Sequence, residues 1–337
     1  MFPRQRPIVS AVGALTLCIA GCTSDRAPSS KAAPLRWGGP ANISMLPIIA
    51  ERKGFFREEG IETKPNYLQT GKMAMDAVVS GDIDLGVLVE TNIAFIKFQN
   101  ATPIKVVACV MQKHDDALIV RTDKGIHKPT DLYGKSISIV PATTSHRFAD
   151  LFVDFYKLDR RRIQFANSTP PGIQAGIANG SMPAGSIWEP FRYNLEQMLG
   201  DKVTQFRDPR IYTAYALISA RASVVQRDRP RIIKFLRALI KARDFIQNNR
   251  QEAIGILAQE IGMDKKVLAA IWSEYDLTLG LDPGLEKVFE DTGAWAKQTQ
   301  PSFQSISVPS YADVLDPSLL REAQIANATS SSSTARP

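Results

Sequence analysis

Two stretches of the 337-residue sequence repeat one pattern, and this repeat constrains the fold more than any other feature. AVVSGDIDLGVLVE (77–90) aligns without gaps on GIANGSMPAGSIWE (176–189). The identical pairs are Gly81 with Gly180, Gly86 with Gly185, and Glu90 with Glu189. Each copy has the order of a helix, a glycine stop, a strand and a carboxylate at the end of the strand. The repeat therefore predicts two similar α/β lobes.

Strands and helices alternate through most of the chain, which predicts mostly parallel sheets. The predicted strands lie at 35–37, 62–68, 84–90, 104–110, 117–122, 135–140, 162–168, 185–189 and 215–220. The predicted helices lie at 44–54, 73–80, about 146–157, 170–180 and from 228 to about 297. In open α/β sheets, ligands bind beyond the carboxyl ends of the strands. We therefore expect Glu90 and Glu189 to face one another across a cleft.

The first 21 residues have the pattern of an export signal. Two arginines precede an apolar run at 8–21, which is shorter than the roughly 20 residues that a helix needs to cross a bilayer. IAGC (19–22) resembles a bacterial lipobox, which implies cleavage before Cys22 and lipidation of its thiol. Residues 22–34 are then expected to form a flexible tether, and 327–337 a disordered tail.

Composition and charge argue against several classes of partner. The formal net charge of +7 is a mild bias, so a nucleic-acid partner is not expected. The three histidines, His114, His127 and His146, have no metal-ligand spacing with each other or with a cysteine. We therefore expect neither a metal site nor a cofactor.

Three hydroxyl residues, Thr143, Thr144 and Ser145, stand where the strand at 135–140 passes into the helix at 146–157. A helix N-terminus leaves backbone N–H groups unpaired and carries roughly half a positive charge, so it attracts anions. The three hydroxyls can donate to the same anion. One of them alone would suffice to cap the helix. We predict ligand contact here, with a simple N-cap as the alternative.

Two segments, GGPANIS (38–44) and LQTGK (68–72), occupy equivalent strand-to-helix turns of the first lobe. The candidate ligand donors in these turns are Asn42, Ser44, Thr70 and Gly71. Glycine permits a close approach of backbone to ligand, although turn formation alone is an equal explanation. The glycine spacing matches neither a P-loop nor a dinucleotide fingerprint, so the sequence does not indicate nucleotide binding.

Candidate ligand residues also lie at the end of the third predicted strand of each lobe. Trp188 offers a flat apolar wall and an indole N–H, with a buried structural role as the alternative. Glu90, Thr91 and Glu189 add hydrogen-bonding groups. Two carboxylates beside an anion site are consistent if the ligand also carries an amine or amidine nitrogen. This hypothesis predicts that Glu189→Gln changes the preference between amine-bearing and amine-free ligands.

Several segments together are similar to the solute-binding proteins of ABC importers for nitrate, sulfonate, taurine and thiamine-pyrimidine-like ligands. They are LPIIAERKGFFREEGIE (46–62), TGKMAMDAVVSGDIDLGV (70–87), the TTSH loop (143–146), and IWEPF (187–191) followed by YALISA (215–220). The resemblance implies a type II periplasmic-binding-protein fold, in which two lobes joined by two strand crossovers close on a ligand cleft. It places lobe 1 at about 35–118 plus 219–326 and lobe 2 at 119–218.

The resemblance also implies a function. The chain would be an exported, monomeric, membrane-anchored lipoprotein. It would capture a small anionic or zwitterionic organic solute and deliver it to an ABC permease with a cytoplasmic ATPase. A ligand-sensing accessory protein is the alternative. An enzyme of this fold would need a reactive Cys or His, whereas Cys109 lies in an apolar strand and His146 has no evident partner. Pro183 stands where the family usually has Asp, which puts the local turn and the ligand in question.

Overall fold

Two β-sheets, each flanked by helices, make up residues 33–99 and 102–333, which this computed structural model describes. The strands are β1 (Leu35–Gly39), β2 (Thr63–Tyr67), β3 (Leu85–Val89), β4 (Ile104–Lys113), β5 (Ala117–Arg121), β6 (Ser136–Ile139), β7 (Gln164–Asn167), β8 (Ala184–Ile187), β9 (Val203–Phe206), β10 (Ala214–Arg221) and β11 (Tyr275–Asp276). The helices are α1 (Met45–Arg52), α2 (Phe55–Glu58), α3 (Gly71–Ser80), α4 (Glu90–Gln99), α5 (Thr144–Phe155), α6 (Pro170–Asn179), α7 (Phe191–Leu199), α8 (Ala222–Arg227), α9 (Arg229–Asn248), α10 (Arg250–Ile261), α11 (Lys265–Ala270), α12 (Leu285–Thr299) and α13 (Ser318–Ser333). The predicted export signal, Cys22 and most of the predicted tether lie outside the described residues.

The two sheets are mixed rather than mostly parallel. Sheet I has the order β11-β4-β10-β3-β1-β2, and sheet II has the order β7-β6-β8-β5-β9. The pairs β1–β2, β1–β3, β6–β7 and β6–β8 are parallel, whereas β10 and β5 pair antiparallel with β3 and β8. The expectation of mostly parallel sheets is therefore wrong. The antiparallel strands β5 and β10 enter each sheet directly from the other, without the helical crossover that a parallel strand requires.

The sequence repeat corresponds to the same local structure in both sheets. Gly81 and Gly180 end helices α3 and α6 in the left-handed conformation, with φ of 94° and 80°. Gly86 in β3 would bring a Cβ atom within 2.5 Å of Val78 Cγ2, and Gly185 in β8 would do the same to Ile173 Cγ2. The absent side chains therefore let each helix pack directly on its strand.

An arginine from outside the repeated segments contacts the equivalent helix in each sheet. Arg121, at the end of β5, donates from Nη1 to the Ile177 carbonyl near the C-terminus of α6, over 2.6 Å. Arg221, at the end of β10, donates in the same way to the Val78 carbonyl of α3. The last carbonyls of a helix have no partner within the helix. In each sheet, the arginine of the antiparallel strand thus donates to one of these carbonyls, and the Ile177 carbonyl accepts in addition from the Gly180 backbone N over 3.2 Å.

The chain passes from sheet I to sheet II at residues 114–116 and returns at 207–213. Each sheet has hydrophobic clusters on both of its faces, because helices cover both faces. In sheet I, one cluster includes Trp37 and Phe235, and the other includes Phe289. By their internal contacts, the described residues from Pro34 onwards form one compact unit.

The turn at Pro183 differs between the two repeats. In sheet I, the equivalent Asp84 accepts hydrogen bonds of 3.0 Å from both the backbone N and Nε of Arg36. Pro183 has no carboxylate, and its carbonyl accepts from the backbone N of Arg121 over 2.9 Å. Asp84 directly precedes β3, and Pro183 directly precedes β8. The proline in place of the usual Asp therefore affects the start of β8 and not its carboxyl end.

Other sequence predictions also need correction. Strands β9 and β11 and helices α4 and α7 were not expected. The stretch from 228 to 297 is not continuously helical, because β11 and the loop before α12 interrupt it. The tail prediction is wrong for 327–333, since α13 continues through Ser333 from the packed residues Leu319 and Leu320. Among the described residues, no helix is long and apolar enough to span a membrane.

Candidate functional site

A cavity of about 700 Å³ lies at the carboxyl ends of strands from both sheets. From sheet I, it is lined by residues that follow β1, β2 and β3, among them Asn42, Thr70 and Thr91. From sheet II, it is lined by residues that follow β6 and β8, among them Thr143 and Trp188. This volume is within the range of small-molecule sites.

Several helices begin at this cavity. Thr70 caps α3, where its Oγ1 accepts from the Met73 backbone N over 3.2 Å. Helix α5 begins after Thr143 and α7 begins at Phe191, and both residues line the cavity. Helix α6 also begins here, but its first residues, Pro170 and Pro171, have no N–H to offer a ligand. Helix N-termini present backbone N–H groups and a partial positive charge. The cavity therefore favours a negatively charged group without requiring a cationic side chain.

Eight of the eleven predicted ligand residues line the cavity. They are Asn42, Thr70, Gly71, Thr91, Thr143, Thr144, Trp188 and Glu189. Ser44, Glu90 and Ser145 do not, and each is fully buried. Ser44 Oγ donates to the Pro40 carbonyl over 2.8 Å. Ser145 Oγ donates to the Ser186 carbonyl over 2.7 Å and accepts from the Val140 backbone N.

The three consecutive hydroxyls at 143–145 each have an acceptor within the chain. Thr143 Oγ1 donates to the Val140 carbonyl over 2.7 Å, and Thr144 Oγ1 donates to Asp116 Oδ1 over 2.9 Å. The Thr143 side chain does not cap the helix. The sequence left capping and donation to a ligand as alternatives. In the structure, Thr143 bonds within the turn, whereas Thr144 and Ser145 tie the turn to distant segments of the chain. Ligand contact by Thr143 and Thr144 stays a prediction.

The two glutamates of the repeat have different surroundings. Glu90 accepts hydrogen bonds from the Tyr212 hydroxyl and from the Tyr215 backbone N, the latter over 2.9 Å. Burial raises the pKa of Glu90. Glu189 lines the cavity and pairs with Arg192, whose Nε lies 2.7 Å from Glu189 Oε1. The expectation that the two carboxylates face one another across the cleft is wrong, because Tyr212 and Tyr215 hold Glu90 behind the cavity wall.

Thr91 carries the clearest sign of an absent partner. Its Oγ1 is buried and has no hydrogen-bond partner among the residues that the structure describes. Buried hydroxyl groups without a partner are uncommon, because each costs free energy. Thr91 lies in the first turn of α4 and lines the cavity. A ligand atom is a natural partner for this hydroxyl.

Gly71 lines the same wall of the cavity. A Cβ atom at this position would lie 2.3 Å from Asn92 Oδ1. Asn92 Oδ1 in turn accepts from the Val89 backbone N over 3.1 Å, which holds the junction between β3 and α4. The glycine is therefore required by a close approach of two chain segments and not by turn conformation alone.

Lys113 is a cavity residue that the sequence analysis missed. Its Nζ pairs with Asp115 and lies 3.2 Å from Asp116 Oδ2, and its distance to the centre of the Trp188 ring is 5.9 Å. Burial works against the charge on Lys113, but Asp115 and Asp116 outweigh it and raise the pKa of this amine. The polar sequence KHDD (113–116), at the end of an apolar strand, was the signal that could have identified Lys113.

Two reactive residue types considered from the sequence lie elsewhere. Cys109 is buried in β4, where burial raises the pKa of its thiol to about 12. His146 contacts Asp150, with 3.4 Å between Nε2 and Oδ2, and neither Cys109 nor His146 lines the cavity. Within the described ranges, no cluster of three or more His, Cys, Asp or Glu side chains could hold a metal ion.

The chain belongs to the NMT1/THI5-like family, which matches residues 42–253. The putative binding protein YtlA of Bacillus subtilis is 23% identical over 216 residues, which cover 61% of this chain and 63% of YtlA. The taurine-binding periplasmic protein of Escherichia coli is 27% identical over 144 residues, covering 42% and 44%. The matches thus span less than two thirds of the length of these two relatives. The resemblance found in the sequence is confirmed at the level of the family.

A solved structure shows the same fold. The periplasmic aliphatic sulphonate binding protein SsuA of Escherichia coli superimposes with a TM-score of 0.73 at 18% identity, covering 83% of this chain and 91% of SsuA. The predicted α/β fold of periplasmic binding proteins is therefore confirmed.

Proposed function

We propose that this protein binds a small anionic or zwitterionic organic solute in the cavity and delivers it to a membrane permease driven by a cytoplasmic ATPase. The observation that carries the proposal is the cavity at the strand ends of both sheets, surrounded by helix N-termini and lined by Thr91, whose buried hydroxyl has no hydrogen-bond partner among the described residues. The taurine-binding and aliphatic sulphonate-binding proteins support the same class of ligand.

Helix N-termini and neutral side chains are the recognition elements of this proposal. The two basic residues that line the cavity both have acidic partners: Lys72 pairs with Asp76, and Lys113 pairs with Asp115 and Asp116. An anion in the cavity is therefore held by N–H groups, by Thr91 and by amides such as Asn42. Closure of the cavity around the ligand would exclude water and strengthen each of these contacts.

The further features of the proposal concern the chain as a whole. We keep lobe 1 at about 35–118 plus 219–326 and lobe 2 at 119–218 as a proposal, and the crossings between the sheets lie before these boundaries, at 114–116 and 207–213, so that β5 and β10 each extend across one of them. Export, lipidation at Cys22 and a monomeric state complete the proposal.

We propose binding without catalysis. The thiol of Cys109 is buried and its high pKa keeps it protonated, so it is a poor nucleophile. His146 lies between Asp150 and the ring of Trp295, whose centroid is 5.1 Å away, rather than in the cavity.

A thermal-shift screen of the full chain tests the proposed function. The panel contains nitrate, sulfate, alkanesulfonates, taurine, aromatic carboxylates and aminopyrimidines. A ligand at about 1,000 times its dissociation constant adds about 4 kcal/mol to the free energy of unfolding. At roughly 2–4 °C per kcal/mol, the melting temperature rises by on the order of 10 °C. A panel in which no anion shifts the melting temperature contradicts the proposal.

A pair of threonine variants then locates the site. Thr91→Val removes a buried hydroxyl that has no hydrogen-bond partner in the described part of the chain, so stability should rise by about 1 kcal/mol while affinity falls about tenfold. Thr292→Val is the matched control, because Thr292 is buried in α12 and its Oγ1 donates to the Val288 carbonyl over 2.7 Å. The control should lose about 1 kcal/mol of stability and keep its affinity. Unchanged affinity in Thr91→Val would remove Thr91 from the site.

A further inference from the structure

Arg192 is a buried residue that lies behind the cavity wall and uses all three of its guanidinium nitrogens. Its Nε lies 2.7 Å from Glu189 Oε1, and its Nη2 pairs with the same carboxylate. Its Nη1 donates to Gln205 Oε1 over 2.5 Å, and its Nη2 lies 3.2 Å from Glu274 Oε1. A guanidinium group is planar and rigid, so the groups bound along its edges keep fixed positions. Arg192 therefore holds the carboxylates of Glu189 and Glu274 relative to one another.

The partners of Arg192 belong to different sheets. Glu189 follows β8 of sheet II and lines the cavity, and Gln205 lies in β9 of the same sheet. Glu274 directly precedes β11, which is the edge strand of sheet I. Arg192 itself lies in the first turn of α7, which packs on β9. The contacts of one side chain thus reach from the cavity wall of sheet II to the edge of sheet I.

Glu274 is held by both segments in which the chain crosses between the sheets. Arg207, in the returning segment, donates from Nη1 and Nη2 to the two carboxylate oxygens of Glu274, each over 2.7 Å. The His114 backbone N, in the outgoing segment, donates to the Glu274 carbonyl over 3.0 Å. Arg207 Nη2 also donates to the His114 carbonyl over 3.2 Å. Glu274 is therefore fixed between the two sheets, and Arg192 attaches the cavity wall to it.

The charges of this network balance. Two arginines and two glutamates form it, namely Arg192, Arg207, Glu189 and Glu274. Asp115 also acts on Glu189, but it pairs with Lys113. Burial works against the charge on Arg192, and the two glutamates outweigh this effect and raise its pKa. Because a buried charge that loses a partner is costly, the network favours the arrangement of the sheets in which all four side chains stay in contact.

We infer that Arg192 is a positioning residue that sets the spacing of the cavity walls, because it ties the Glu189 wall of sheet II to Glu274 of sheet I. This inference rests on the proposed function and adds a residue that controls affinity without touching the ligand. When the contact between Arg192 and Glu274 is lost, fewer molecules have the spacing that one ligand requires. The apparent dissociation constant then rises in proportion as this fraction of molecules falls.

Small-angle X-ray scattering of the full chain without ligand tests the spacing. Glu274→Gln keeps the shape of the side chain and removes its charge. Arg192→Lys keeps the charge, but a single amine cannot hold two carboxylates in one plane. Each substitution should raise the radius of gyration by about 1 Å, roughly 5% of the value for a compact chain of this size. Arg210→Met is the control and should leave the scattering unchanged, because Arg210 lies in the returning segment but is 75% exposed and pairs with Asp208.

Calorimetric titration with taurine and hexanesulfonate as probes tests the effect on affinity. Arg192→Lys and Glu274→Gln should each weaken both probes about tenfold. The double variant should bind no more weakly than the weaker single variant, because both substitutions break the same contact. A merely structural role would lower the melting temperature and leave the affinity and the radius of gyration of the folded variants unchanged.

The outcomes separate the inference from the proposed function. If both variants keep the wild-type radius of gyration and affinity, the inference is overturned, while binding by the wild type still supports the proposed function. If the two losses of affinity add up in the double variant, Arg192 and Glu274 act independently, which also overturns the inference. If neither probe nor any other member of the ligand panel binds to the wild type, the proposed function is overturned, and the scattering result alone decides whether Arg192 sets the spacing.

Discussion

Trp295 donates a hydrogen bond from its indole nitrogen to Asp150 Oδ2 over 2.7 Å, although the two residues belong to helices that pack on different sheets. Trp295 is in α12, which packs on α4 beside sheet I, and Asp150 is in α5, which packs on sheet II. Arg160 approaches the other oxygen of Asp150 to 2.5 Å. The Asp150 carboxylate thus joins the helical layers of both sheets.

Trp295→Phe should destabilise the protein by about 1–3 kcal/mol. The substitution removes the indole donor while a ring remains beside Phe95, so the main loss is a buried hydrogen bond to a charged group. Urea denaturation followed by circular dichroism measures the change. An unchanged denaturation midpoint would mean that this hydrogen bond does not contribute to stability.

His146 should make stability depend on pH. Burial lowers its pKa from the ordinary 6.5, Asp150 acts in the opposite direction, and Arg160 and Arg147 add to the lowering. As the pH falls below 6.5, the unfolded chain takes up a proton that the folded chain does not, so this contribution to stability is present above that pH and is lost as the pH falls through the folded pKa.

Urea midpoints measured between about pH 5.5 and 7.5 test this dependence. His146→Phe should flatten the slope in this window. His127→Gln, which changes an exposed histidine, should keep the wild-type slope and is the control. A slope that survives in His146→Phe would assign the dependence to another group.

Arg121→Met should cost about 1–3 kcal/mol, because it removes the charged donor of the buried Ile177 carbonyl, which then keeps only the longer hydrogen bond from the Gly180 backbone N. Arg161→Met is the control. Its side chain is 90% exposed and pairs with Asp159, so its loss should change stability by less than about 1 kcal/mol. Equal effects of the two substitutions in denaturant titrations would contradict the role given to Arg121.

Gly71→Ala should weaken ligand binding about tenfold and lower stability by about 1–3 kcal/mol. The added Cβ would displace Asn92 from its hydrogen bond to the Val89 backbone N and would shift the cavity wall. Gly280→Ala is the control, because no atom lies within 4 Å of a Cβ at that position. Calorimetric titration and denaturation of both variants provide the measurements. Wild-type affinity in Gly71→Ala would show that this wall does not contact the ligand.

The two-sheet architecture could be predicted from the repeat, because the effect of each of its glycines depends only on residues nearby in the sequence. Gly81 and Gly180 stop helices by conformation, and Gly86 and Gly185 admit a helix by lacking a side chain. The strands β9 and β11 could not be predicted in the same way. Strand β11 has two residues, and it exists because it pairs with the end of β4. That pairing depends on contacts between residues distant in the sequence.

The position of the cavity followed from the rule that ligands bind at the carboxyl ends of strands, but the roles of individual side chains did not. Ser145 and Glu90 point to partners within the chain, and those partners, Ser186 and Tyr212, come from distant segments. The part of the cavity wall formed by residues 261–264 was not predicted, because it lies at the end of α10 and in the loop before α11, far along the chain from the repeat.

The burial of Cys109 has a practical consequence for spectroscopy. It is the one cysteine among the described residues, and its protonated, inaccessible thiol would react slowly with maleimide dyes at neutral pH. Cysteines introduced at exposed positions such as Met73 in α3 and Met198 in α7 would therefore be labelled selectively in a chain that lacks Cys18 and Cys22. Energy transfer between a donor and an acceptor dye at these positions would report the distance between α3 and α7 while a ligand binds, without replacement of any buried residue.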